Sequence, residues 1–127
     1  MIKIAKMRPM AERPLEYYEG TANEEIVLGE ALVMADGKLT KCGATATPEF
    51  ISMGSGTDKV VPVVRVMEED VYSAPLSEDG TSLYVGDKVT LSDDGTEVTA
   101  TTTSGVFEIT QINGTEVGDT VLGIFRR

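Results

Sequence analysis

The sequence predicts an all-β fold, a compact small β-barrel or sandwich built from two similar β units, with an extended N-terminal arm. Three observations lead there. Threonine and valine are abundant, and no long window keeps a helical period. Glycines recur every several residues, repeatedly in Asp-Gly or Asn-Gly pairs that suit tight turns. One strand-turn-strand pattern is also written twice.

Residues 1–19 read as the arm and 20–127 as a single β domain. Pro9 and Pro14 push the residues before them toward extended geometry, which disfavours a helix. The arm is both apolar (Ile2, Ile4, Met7, Met10, Leu15) and basic, with Lys3, Lys6, Arg8 and Arg13 against one acid, Glu12. It either docks as a first strand on its own domain or reaches a neighbour. The expectation taken forward is the second, with the body staying folded without the arm.

From Gly20 the pattern is β. In Val85–Leu91 the residues Val89 and Leu91 point one way and Lys88 and Thr90 the other. Asp93-Asp94-Gly95 makes a turn, and Val98 and Ala100 continue on the returning strand. Phe107 and Ile109 alternate with Glu108 and Thr110, Asn113-Gly114 is a second hairpin signal, and Val121–Phe125 is the closing strand. Ser77–Gly80 is a polar loop. Glu68-Glu69-Asp70, within Met67–Tyr72, is the one place where a helical turn competes.

The repeat spans 26–66 and 83–125. Leu28-Gly29-Glu30 and the strand after it match Val85-Gly86-Asp87 and its strand. Each copy continues through an Asp-Gly turn, an aromatic-aliphatic strand (Phe50–Met53, Val106–Ile109) and a final strand rich in valine or isoleucine (Val60–Val66, Val121–Phe125). A lone hairpin is barely stable, so the two units must share a core. The run Val60–Val66 is apolar on both faces until Arg65 and contains Pro62, which marks an edge. Such an edge needs covering, either by the arm or by another subunit.

Composition narrows the chemistry. The 127 residues fit one domain. No apolar run reaches the roughly 18 residues of a membrane span, and Met1–Met10 lacks the apolar block of a signal peptide. Cys42 is the only cysteine and reads as a small buried filler. There is no histidine, which removes Ser-His-Asp and Cys-His mechanisms and the commonest zinc ligand. The formal charge of −10 argues against nucleic acid and anionic membranes as partners.

Local constellations point the same way. Asp87, Asp93, Asp94 and Glu97 do not have the spacing of a calcium loop. Gly54-Ser55-Gly56 lies between strands with no helix to follow and reads as a hairpin loop. There is no tryptophan to stack on a sugar, and Phe50 and Phe107 hold equivalent repeat positions, as core residues would. Tyr17 and Tyr18 are either core or an interface anchor. These readings lead to an expectation of no catalytic residues, no metal and no cofactor.

The runs Leu28–Cys42, Phe50–Met53, Val60–Val66 and Leu83–Phe125 resemble the capsid cement (decoration) proteins of tailed bacteriophages and prophages. The resemblance implies a small β-barrel virion protein, made in the host bacterial cytoplasm, that binds the outside of an assembled capsid. Its partner would be the major capsid protein lattice, and it would act as a homo-oligomer, with a trimer favoured. The expected capsid-binding residues are Ile2, Ile4, Met7, Arg8, Met10, Tyr17 and Tyr18, and Val61 and Val63 are expected to mediate self-association. The alternatives are a small β-barrel enzyme or carrier domain, acting on carbohydrate or a covalently attached group, and a non-viral adhesion module.

Overall fold

The computed structural model describes residues 1–6, 14–57 and 59–126. Among them every regular element is a strand. The first six are β1 (Lys3–Lys6), β2 (Glu16–Glu19), β3 (Glu25–Ile26), β4 (Ala31–Ala35), β5 (Lys38–Lys41) and β6 (Phe50–Ser52). Then follow β7 (Gly56–Thr57), β8 (Val60–Arg65), β9 (Val71–Pro75), β10 (Lys88–Val89), β11 (Phe107–Ile112) and β12 (Thr120–Phe125).

Five strands form a first sheet in the order β1-β9-β12-β11-β10, and five form a second in the order β2-β8-β6-β4-β5. A short ribbon of β3 and β7 stands apart. The two orders correspond: β2-β8-β6-β4 in the second sheet matches β9-β12-β11-β10 in the first, so two similar units build the fold. The sheets stack as a sandwich. The second also curls, because Thr21 N–H donates to the Leu39 carbonyl (2.9 Å) and brings the β2 end to β5. A single bridge there does not close a barrel.

Turn chemistry sets the hairpins. Asp36 and Gly37, at φ 52° and 78°, form the two-residue link between β4 and β5 that matches strand twist. Asn113-Gly114 behaves differently from the sequence expectation. Asn113 still pairs with Thr120, and the reversal occupies 114–119, with the left-handed residue at Gly118 (φ 90°). Gly114 is needed for space instead, since a Cβ there would lie 2.2 Å from the Asp119 carboxylate. Residues 67–70 form a turn closed by Asp70 N–H to the Met67 carbonyl (3.2 Å), and β9 begins at Val71, so no helix forms.

The units stack front to back. The face of the first sheet that carries Val89, Phe107, Val121 and Phe125 packs in one cluster with Ala31, Ile51 and Val64 of the second sheet. Phe125 meets Tyr72 and Phe107 edge-on, with centroids 5.0 and 5.2 Å apart. The other face of the second sheet carries Leu32, Leu39, Phe50, Val61 and Val63 into a separate cluster with Ile26. The second sheet therefore has buried side chains on both faces, one of them only in part because Tyr17 and Val60 of its β2–β8 edge are exposed, while the back of the first shows Lys88, Glu108 and Thr110. Phe50 and Phe107, equivalent by sequence, belong to different clusters.

This stacking corrects the arm. The described parts of 1–19 are strands of both sheets: β1 pairs with β9, and β2 pairs with β8. Ile2 is 1% exposed in the first cluster, and Ile4 packs against it. The reason is the need foreseen for β8: an apolar edge must be covered, and β2 of the same chain covers it. Pro62 fits because its carbonyl accepts from Met53 N–H (2.8 Å) just past the end of β6, so its missing donor falls where the ladder stops. Met7, Arg8 and Met10 lie outside the described residues.

Two changes test this. Ile2→Ala should cost about 2–5 kcal/mol in urea unfolding, the usual range for truncating a buried aliphatic side chain. Deleting Met1–Lys6 should lower the melting temperature, because it uncovers β9 as well as removing Ile2.

Candidate interaction surface

One local motif recurs three times. In Val27-Leu28-Gly29-Glu30 the Glu30 N–H donates to the Val27 carbonyl (3.2 Å), and Val27 N–H donates to Glu30 Oε1 (3.2 Å). In Tyr84-Val85-Gly86-Asp87 the corresponding bonds are 3.1 Å and, to Asp87 Oδ2, 2.9 Å. In Glu116-Val117-Gly118-Asp119 they are 3.0 Å and, to Asp119 Oδ2, 3.1 Å. The glycines sit at φ 81°, 100° and 90°, the left-handed third position of a type II turn. Each acid thus closes its turn twice, through its own amide and through its carboxylate. The Gly-acid repeat seen in the sequence is this turn. The third copy was missed there, although Val117-Gly118-Asp119 repeats Val85-Gly86-Asp87 letter for letter.

The residue before each glycine faces solvent: Leu28 is 45% exposed, Val85 63% and Val117 66%. Tyr84 is exposed beside Val85. The three turns share one end of the sandwich. β10 and β12 begin there and β9 and β11 finish there, and Gly118 N–H donates to the Leu76 carbonyl (2.9 Å) just past β9. β1 starts at the same end, where Ile2 N–H donates to the Gly29 carbonyl (3.1 Å) and brings in the first turn.

An apolar strip continues from that turn across the second sheet. Met53 lies beside Pro62, and Pro62 pairs with Tyr17. Met53 and Tyr17 are both exposed, Tyr17 at 61%. Of the expected site residues that are described, Tyr17 is the one on this strip. Tyr18 points the other way, packing on Phe50 with centroids 5.3 Å apart. Its hydroxyl donates to Glu16 Oε1 (2.6 Å), and Arg65 grips the same carboxylate through Nε (3.0 Å) and Nη2 (2.9 Å). Arg65 holds Glu16 below the ordinary carboxylate pKa, and Glu16 raises that of Tyr18.

The expected self-association pair is corrected. Val61 and Val63 point into the second cluster at 1% and 0% exposure, so they offer no surface. The alternation of β8 places Val60 and Pro62 on the opposite face instead.

Glu30 is buried, and its Oε2 takes no hydrogen bond, with Lys41 Nζ 3.6 Å away. Burial raises its pKa, opposed by the Val27 amide and Lys41. Asp94 is lowered, chiefly by the Ser92 hydroxyl (2.7 Å), and Asp79 by Thr81. Cys42 is buried, its Sγ donates to the Ala46 carbonyl (3.0 Å), and burial pushes its thiol up to about 11. A surface hollow of 430 Å³ is lined by Arg65, Val66, Met67, Glu68 and Glu69. Among the described residues no group of three or more acids and cysteines is placed to hold a metal ion. A scan of protein-family models finds no match, and neither does a search of curated proteins.

Asp87→Ala and Asp119→Ala should each lower stability by about 1 kcal/mol, the usual net worth of such a bond, in urea unfolding. Glu30 gives a pH signature. Its folded pKa lies above the unfolded 4.5, so its contribution is fully present below 4.5 and is lost as pH rises through the folded value. Wild type should therefore gain stability relative to Glu30→Gln as pH falls from neutral toward 4.5. Asp79 and Asp94 act in the opposite sense but are common to both proteins, so the difference isolates Glu30.

Proposed function

We propose that this chain is a structural protein that binds the outer surface of an assembled phage capsid and stabilises it, as a homo-oligomer. The observation that carries a binding role is the set of exposed apolar side chains at one end of the sandwich, each held on a turn clamped by an acid. Exposed apolar groups that gather in one place mark sites of protein contact. Rigid turns reduce the entropy lost when such groups dock. The capsid as partner rests on the resemblance of the repeat units to cement proteins. A protein that binds only the assembled lattice stabilises it by mass action.

The test is co-sedimentation of the purified chain with undecorated shells, assembled from the major capsid protein encoded nearest to its gene. Saturable binding and a raised shell disruption temperature are expected. Absence of binding at micromolar concentrations would refute the capsid reading.

A further inference from the structure

The segments that build the three-turn end, residues 27–30, 76–87, 92–99 and 113–119, contain nine Asp or Glu and no Lys or Arg. The packing brings them together. Val98 N–H donates to the Pro75 carbonyl (2.9 Å), Gly80 N–H to the Thr115 carbonyl (2.8 Å), and Ala31 N–H to the Gly95 carbonyl (2.8 Å). The described cations at this end are Lys88 at the start of β10, Lys3 at the start of β1, the Met1 amino terminus beside Gly29, and Lys41 beside Glu30. Acids therefore still outnumber cations where Leu28, Val85 and Val117 are exposed.

We infer that this end is the docking surface, and that its partner is a protein face presenting apolar recesses among lysine and arginine side chains. The inference rests on the binding role proposed above and names the surface and the chemistry it selects. Three arguments fix the occupant. The turns carry an excess of acids, so a second copy of the same end is disfavoured, and so is an anionic membrane. A basic rim is attracted and steered into register. The affinity then comes from the three aliphatic tips, since exposed ion pairs add little and burying a valine or leucine adds far more.

Two measurements on the full chain test it. The first is an NMR titration with 3-phenylpropylamine hydrochloride, which carries a cation next to an apolar group and needs no capsid. Amide shifts are expected to concentrate at 28–30, 84–87 and 116–119, and to weaken as salt is raised. Shifts spread evenly, or centred on Tyr17 and Met53, would overturn the inference whether or not the capsid reading stands.

The second compares shell binding by wild type, by the triple variant Leu28→Ser, Val85→Ser, Val117→Ser, and by Leu15→Ser, an exposed leucine outside this end. The triple variant should keep the wild-type melting profile and bind roughly tenfold or more weakly, while Leu15→Ser binds like wild type. A folded triple variant that binds as tightly as wild type would overturn the assignment of this end. If wild type itself fails on shells while the titration maps to the turns, the capsid reading fails and the docking surface stands.

Discussion

The constraint on which the rest of the structure depends is that the second sheet is apolar on both faces. Leu32, Phe50, Val61 and Val63 point one way, and Ala31, Ile51 and Val64 the other. The apolar part of each side has to be kept from water. One side is satisfied by curling, which brings β2 toward β5 around a small interior of its own, capped by Ile26. The other needs a separate cover, and the second repeat unit supplies it. Because a cover needs only one apolar face, the first sheet is free to be polar behind, where Lys88 and Thr110 lie. Two units of similar topology thus do unequal work, one as filling and one as lid.

The acid-clamped turn is the second organising element, and it links sequence to surface. Glycine before the acid is required by the left-handed backbone. The acid is required by the amide it holds, three residues back. The residue before the glycine is constrained by neither, and in all three copies it is a bare aliphatic side chain. Nothing in the turn's own geometry demands a valine or leucine there. That exposed aliphatic side chain is the feature on which the proposed docking role rests.

Much of the fold was legible in the sequence because its signals are local. Alternation in Val85–Leu91 and Phe107–Thr110, the Asp36-Gly37 link and the double pattern all depend on neighbours a few residues away. What was not legible is what covers what. Ile2 and Ile4 looked like a free arm because the strand that receives them, β9, begins some 65 residues later. Val61 and Val63 looked available for self-association because a two-faced apolar strand does not say which face is inward. Asn113-Gly114 misled for a different reason: a strong turn dipeptide was used for close packing against Asp119 and not for its backbone freedom. The candidate surface was half legible. The Gly-acid repeat was seen, but its shared end of the sandwich exists only after β1, β9, β10 and β12 have paired.

The dependence of β1 on β9 has a consequence for the order of assembly. During synthesis residues 16–65 emerge early and contain every strand of the second sheet. Until residues 71–125 follow, that sheet has its interior but no lid, and Ala31, Ile51 and Val64 stand open to water. The first strand waits longest of all, since its partner and the cluster that receives Ile2 are made later than itself. Pairings of such long sequence separation form slowly. A nascent chain with an uncovered sheet and an unplaced leading strand is most exposed to aggregation just before its last strand, β12, is released.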